Sequence, residues 1–141
     1  MKRLLFWFTG GAACLVVVLT VVIWLGLRAS LPQLDGEVSV AGLISPVSVE
    51  RDADGIPVLT ASNRKDLAFA TGYVHGQDRF FQMDLIRRQA AGELSALVGA
   101  AAIGVDKRNR FHRFRTRAKS VWDRATDQDK SLLEVYAAGV N

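Results

Sequence analysis

An uninterrupted apolar run near the amino terminus constrains this chain more than any other feature. Leu4 to Leu27 are 24 consecutive uncharged residues, and a helix of that length spans roughly 36 Å at about 1.5 Å per residue. The hydrocarbon core of a bilayer is about 30 Å thick. The run therefore predicts a transmembrane helix that contacts the lipid bilayer through Leu4 to Leu27. We expect residues 1–30 to form this anchor or an uncleaved signal, and residues 31–141 to form the folded part.

The charges beside the run predict on which side of the membrane the folded part lies. Lys2 and Arg3 precede the run, whereas only Arg28 follows it directly. Because positive charge favours the cytoplasmic side, we expect a membrane-anchored protein with its bulk on the exported side, periplasmic or extracellular. A cleaved signal peptide is the alternative, although the run is long for one and Leu27-Arg28-Ala29 is a poor cleavage site.

Composition and spacing exclude several classes of protein. A disulfide scaffold is excluded because Cys14 is the only cysteine. Of the 18 basic residues, three flank the apolar run, which leaves 15 against 14 acidic residues, so the folded part is not strongly basic and no nucleic-acid partner is expected. His75 and His112 are 37 residues apart and form no metal-binding spacing. No cofactor or metal ligand is predicted within this chain.

Periodicity predicts a short hairpin followed by helices. Apolar and polar residues alternate over 47–51, turn residues follow, and 56–60 resumes an extended pattern, which is typical of a β-hairpin. Apolar residues at helical spacing predict a helix over about 63–91, with a break at its internal glycines, and a further helix around 111–122. A last helix begins near residue 127. The predicted fold class is α+β, mostly helical with a short hairpin, and the uncapped last helix predicts a chain interrupted in mid-element.

A basic run lies in the second half of the chain. Anionic lipid or nucleic acid could bind such a run, but apolar residues interrupt it at helical spacing, which favours an amphipathic helix with a solvated basic face. The seven cations are Lys107, Arg108, Arg110, Arg113, Arg115, Arg117 and Lys119.

Three ordered motifs connect the chain to a known family. They are Arg-Asp-x-x-Gly-x-Pro at 51–57, Gly-Tyr-x-x-x-Gln-Asp-Arg-x-x-Gln-Met at 72–83, and Arg-Arg-x-x-x-Gly at 87–92. In order and separation they resemble the amino-terminal part of the penicillin acylase family, which are amidohydrolases of the N-terminal-nucleophile class. The resemblance covers roughly residues 31–141.

The resemblance implies most of what can be expected about the fold and the chemistry. Family members are four-layer αββα sandwiches and are made as exported precursors that cut themselves into two subunits. The nucleophile is the serine exposed at the start of the larger subunit, with its own amino group as base. Calcium is allowed by the family, with ligands beyond Asn141. No catalytic residue of this chain matches the family's machinery, so we carry none over.

The motif residues are expected to form scaffold that docks on the larger catalytic subunit. Asp78 and Arg79 are expected to be a buried, paired and hydrogen-bonded set, because a charge left unpaired within an apolar helix would cost several kcal/mol. The motif residues are Arg51, Asp52, Gly55, Pro57, Gly72, Tyr73, Gln77, Asp78, Arg79, Gln82, Met83, Arg88 and Gly92.

Two functions are compatible with these observations. The first is a penicillin-acylase-like hydrolase of linear amides, acting on a small acylated substrate such as a beta-lactam side chain or an acyl-homoserine lactone. In that case this chain is the start of the small-subunit region and is inactive by itself. The alternative is a non-catalytic, membrane-tethered binding protein that uses a basic helix at 107–119.

Overall fold

A computed structural model describes the backbone of residues 2–141 and the side chains of residues 14–141. It divides into two compact units, Met1–Val38 and Ser39–Asn141. The first unit contains one helix and the polar segment that follows it. The second contains a hairpin, five α-helices and one short 3-10 turn within the described residues.

The first unit corrects the predicted fold class. Helix α1 covers Lys2–Ala29, but no helix in the described part of the chain is both long enough and apolar enough to cross a membrane. The transmembrane helix predicted over Leu4 to Leu27 is therefore wrong. Residues 4–13 of the predicted run lie outside the described side chains.

The predicted hairpin is present in the second unit. Strand β1, Ser48–Arg51, pairs antiparallel with β2, Pro57–Thr60, in a register that sets Ser48 opposite Thr60 and Arg51 opposite Pro57. Pro57 is the first residue of its strand. Proline is tolerated there because it has no backbone N–H to donate to the hydrogen-bond ladder. The described residues form this two-stranded sheet and no further strand, so the four-layer αββα sandwich is not seen in them.

Helices make up most of the second unit. They are α2 at Arg64–Ala91, α3 at Ser95–Val98, α4 at Ile103–His112, α5 at Phe114–Arg124 and α6 at Asp127–Val140, with a 3-10 turn at Ala100–Ala102 before α4. The sequence predicts α2 and the start of α6 closely. It predicts one helix around 111–122, whereas the structure has two there, because Arg113 adopts a left-handed conformation with φ of 55° and turns the chain between α4 and α5.

Helix α2 is the central element of this unit. It begins at the cap residue Asn63, whose side chain accepts the N–H of Asp66, and ends at Gly92 in the left-handed conformation that favours glycine. Its backbone departs from helical geometry at Arg79, with φ of −139° and ψ of 17°. The break therefore lies after Gly72 and Gly76 rather than at them.

The glycines of α2 permit its contact with α6. A Cβ added at Gly72 would collide with the carbonyl oxygen of Tyr136, and one added at Gly76 would lie 2.9 Å from the carbonyl oxygen of Val140. Reciprocally, a Cβ at Gly139 of α6 would collide with the carbonyl oxygen of Phe69. The two backbones are thus in van der Waals contact, which only residues without a side chain allow.

The core around this contact is small. The buried apolar residues are Phe69, Ala70, Val74 and Ala102, with Val74 only 2% exposed. Many large apolar side chains of the unit are exposed, among them Phe81, Ile86 and Phe111. Monomeric proteins rarely leave so much apolar surface in water, so this unit presents surface that further protein would cover.

We expect Gly72→Ala to destabilise the full-length protein by about 1–3 kcal/mol, because the added methyl group has no room against the backbone of α6. Gly104→Ala is the matched control, since a Cβ there meets nothing nearer than Arg108 at 4.0 Å. Helix propensity alone should make that control neutral or more stable by up to about 1 kcal/mol. The midpoint of urea unfolding measures both, and equal midpoints for the two variants would contradict the close helix contact.

Candidate functional site

A bidentate ion pair joins the hairpin to helix α2. The guanidinium of Arg51, at the end of β1, donates from Nη1 and Nη2 to the two carboxylate oxygens of Asp78, over 3.0 and 2.8 Å. The same Nη1 donates to the carbonyl oxygen of Gly55 over 3.0 Å. We call Arg51, Gly55 and Asp78 the hairpin–helix junction. Since both side chains are only about a quarter exposed, the junction fixes the hairpin against α2 with more geometric precision than a surface pair.

The hairpin turn beside the junction is held by Asp52. Its Oδ1 accepts the backbone N–H groups of Asp54 and Ile56 over 3.0 and 2.8 Å. Its own backbone N–H donates to the carbonyl oxygen of Ile56, and Gly55 donates back to Asp52. Gly55 has φ of 78°, in the left-handed region where a side chain would be strained. The first motif is therefore a turn that presents Arg51 to Asp78.

Asp78 and Arg79 have hydrogen-bonded partners, as predicted, but they are not buried. Asp78 pairs with Arg51, 27 residues away in sequence, and neither Asp78 nor Arg79 is buried. Arg79 is the residue at which α2 bends, and its guanidinium donates to Gln82 over 3.3 Å. Periodicity could place the two residues on a helix, but the hairpin that supplies the true partner comes from a distant part of the sequence.

The other motif residues serve helix packing and helix ends. Gly72 and Tyr73 lie where α6 approaches, Gln77 and Met83 are half-buried, and Gln82 is exposed on α2 after the bend.

The third motif, at 87–92, forms the carboxyl end of α2. Arg88 donates from Nε to Asp84 over 2.7 Å, and its carbonyl oxygen accepts the N–H of Glu93 over 2.8 Å. The carbonyl oxygen of the buried Gly92 accepts from Nε of Arg110 over 2.8 Å. The third motif is therefore a helix end to which α4 is tied.

Sequence reasoning missed Asp66, a carboxylate that anchors the loop before the hairpin. Asp66 is 1% exposed and accepts the backbone N–H groups of Ile44 and Ser45 over 2.8 and 2.9 Å. The hydrogen bond from Ile44 lowers the pKa of Asp66, opposed by burial and reinforced by Asn63 and Ser45. The available signal was its spacing of three from Asn63, which is typical of a helix start.

Asp106 is a second buried carboxylate, and it anchors the segment between α2 and α4. It is 4% exposed and accepts the backbone N–H groups of Leu94 and Ser95 over 2.9 and 2.8 Å, at the start of α3. Burial raises the pKa of Asp106, but hydrogen bonds from Ser95 and Leu94 and the attraction of Arg110 outweigh it and the pKa is lowered. No local pattern distinguishes this residue, because its partners belong to another helix.

The basic run does not form one helix. Arg113 divides it between α4 and α5, and three of its cations are engaged within the chain: Arg110 with Gly92, Arg115 with Glu93 and Lys119 with Asp123. A basic helix over 107–119, on which the alternative binding function depended, is therefore absent.

The contacts described so far join segments of this chain to one another. Among the described residues no group of three or more His, Cys, Asp or Glu side chains could hold a metal ion. The buried carboxylates have lowered pKa values because they accept hydrogen bonds, which makes them poor proton acceptors near neutral pH. The one histidine of α2, His75, lies 2.9 Å from the hydroxyl of Tyr136 and braces α2 against α6.

Comparison with known proteins decides the family. Residues 46–141 match the family model described as penicillin amidase. The chain belongs to the penicillin amidase family. This match includes the junction, the Asp66 and Asp106 anchors and all three motifs, so the resemblance read from the motifs is confirmed.

Curated relatives and a solved structure agree. The chain is 41% identical over 115 residues to penicillin acylase 2 proenzyme of Pseudomonas sp. strain SE83, covering 82% of this chain and 15% of that protein. It is 37% identical over 116 residues to acyl-homoserine lactone acylase QuiP of Pseudomonas putida, covering 82% and 14%. Penicillin G acylase from Alcaligenes faecalis superposes with a TM-score of 0.62 at 28% identity, covering 70% of this chain and 53% of that one. The chain thus spans only a small part of its curated relatives.

We expect acid to release the loop that Asp66 anchors in the full-length family member. The lowered pKa means that the stabilisation is complete above the ordinary value of about 3.8 and is lost as the pH falls below it, through the lowered pKa. Hydrogen exchange should show protection of the Ile44 and Ser45 amides decreasing over that range. In Asp66→Asn the protection should be weaker throughout and change less with pH; an unchanged pH profile in this variant would contradict the anchor.

We expect Asp78→Ala to abolish most of the soluble, processed full-length protein, because it leaves the Arg51 guanidinium without its bidentate partner. Arg51→Lys should have a smaller effect in the same direction, since lysine retains the charge but not the fork geometry. Asp123→Ala is the control, because it breaks an exposed pair on α5 that contributes little. Soluble yield and mass of the product measure all three; a normally processed but inactive Asp78→Ala would instead place Asp78 in the catalytic machinery.

Proposed function

We propose that the protein containing this chain hydrolyses carbon–nitrogen bonds of linear amides and releases an acyl group from an amine. The observation that carries the proposal is the match of residues 46–141 to the penicillin amidase family. Relatives named as acylases of penicillin and of acyl-homoserine lactones support it. Both classes of acyl substrate fall within the proposal.

The proposed reaction follows covalent catalysis by a serine. The serine oxygen attacks the amide carbonyl carbon, the carbon–nitrogen bond breaks, and the amine leaves with the proton taken from the serine. Water then hydrolyses the acyl-enzyme and regenerates the serine. We place this serine, its base and its oxyanion donors in the larger subunit of the same precursor, because none of the motif residues of this chain has a corresponding role. The name of the proenzyme relative supports a precursor.

We assign this chain the role of scaffold in the small-subunit region. The junction positions the hairpin on α2, and the buried carboxylates hold the segments before and after α2. These groups make hydrogen bonds within the chain, which supports a structural role for them. A calcium site with ligands outside this chain stays a prediction, as does the exported location.

The proposal is tested by assaying the purified full-length protein on acyl para-nitroanilides that carry either a short aromatic or a long aliphatic acyl group. We expect release of para-nitroaniline from at least one series, and none from the 141-residue chain alone. The matched control is the full-length protein with the first residue of the larger subunit changed from serine to alanine, which should be folded but inactive. Absence of hydrolysis across both series in a soluble, processed protein would contradict the proposed function.

A further inference from the structure

Helix α5 exposes an apolar face that the described part of the chain covers only in part, through the ring of His112, which stacks on Phe114 with ring centroids 5.3 Å apart. Phe114, Ala118, Val121 and Trp122 are spaced so that they fall on one side of the helix. All residues of α5 are exposed, with Val121 at 62% and Phe114 at 45%. A contiguous apolar stripe of this kind marks a surface for interaction rather than a finished exterior.

The cations of α5 differ on the two sides of this stripe. On one side, Arg115 pairs with Glu93 over 2.6 Å and Lys119 pairs with Asp123 over 3.0 Å. On the other side, the guanidinium groups of Arg117 and Arg124 make no hydrogen bond or ion pair within the described residues. These two arginines are seven positions apart in the helix, so they lie almost in line, about 10.5 Å apart along the helix axis.

We call the apolar residues Phe114, Ala118, Val121 and Trp122, together with the edge formed by Arg117 and Arg124, the α5 face. Its charge pattern selects the chemistry of what covers it. An arginine that loses water at an interface requires a carboxylate or another anion, because an unpaired buried charge is costly. The complementary surface is therefore apolar at its centre and carries carboxylates on one side, spaced about two helical turns apart.

We propose that the α5 face docks on such a surface supplied by the rest of the precursor. This inference rests on the proposed function, in which this chain is part of a longer precursor. Curated relatives are matched over 14–15% of their length, so the greater part of such a protein lies outside the matched region and is available to cover the face. Helix α5 then connects the scaffold to the rest of the enzyme through apolar contact and two ion pairs.

The test measures whether the face is covered in the full-length protein. In the full-length protein, Val121→Cys places a thiol on the α5 face and Thr116→Cys places one on the opposite, exposed side of the same helix, and labelling is measured by mass on the peptide that contains the new cysteine. We expect a maleimide to label the thiol of the Val121 variant at least about tenfold more slowly than that of the Thr116 variant, as local protection by packing predicts. Equal labelling rates would overturn the proposal.

Charge reversal tests whether the complementary surface carries carboxylates. The double substitution Arg117→Glu with Arg124→Glu should raise the labelling rate of the Val121 variant by about tenfold, which corresponds to 1.4 kcal/mol. Lys107→Glu with Arg108→Glu is the control, since it makes the same charge change on α4 and should leave that rate unchanged. Protection that requires anionic vesicles, or that increases with protein concentration, would overturn the proposal in favour of a membrane or a second copy.

The labelling result and the proposed function can fail separately. A reactive thiol in the Val121 variant of an active enzyme would remove the docking surface and leave the hydrolase intact. A protected thiol in a protein that hydrolyses no acyl substrate would do the reverse. If the Val121 variant is insoluble, hydrogen exchange of the α5 amides in the unmodified protein gives the same comparison, and rapid exchange along the whole helix would overturn the inference.

Discussion

Helices α2 and α6 touch backbone to backbone, and the rest of residues 39–141 is arranged around that contact. Gly72 and Gly139 permit it, because a side chain at either position would collide with a carbonyl oxygen of the facing helix. Val74 and Phe69 are buried beside it. Since the core contains so few apolar residues, polar contacts with α2 and between neighbouring helices set the positions of the other elements.

Carboxylates make most of these polar contacts. Asp78 holds the hairpin through Arg51, Asp66 holds the preceding loop through two backbone N–H groups, and Asp106 holds the start of α3 in the same manner. Each carboxylate replaces apolar burial with hydrogen bonds of defined direction. A segment built in this way has a specified geometry but a limited core, which suits a part that completes its burial against a larger neighbour.

The sequence predicted what local patterns determine. Alternation placed the hairpin, apolar spacing placed α2, and the motifs placed the chain in its family. Contacts between distant segments could not be predicted: Arg51 as the partner of Asp78, and the segment that Asp106 holds, depend on how the helices cross. The turn at Arg113 was missed because a residue with φ of 55° at a helix end is ordinarily glycine. The apolar run at α1 led to the prediction of a transmembrane helix. That prediction was wrong, because no helix in the described part of the chain is long and apolar enough to cross a membrane.

We propose that this chain is the scaffold of a self-processed amide hydrolase whose nucleophile lies elsewhere in the precursor. The most direct test is the intact mass and amino-terminal sequence of each chain in the native protein, purified from its source cells. We expect two associated chains, one carrying the hairpin–helix junction and a larger one that begins with serine. A single uncut chain, or a larger chain that begins with a residue other than a nucleophile, would contradict it.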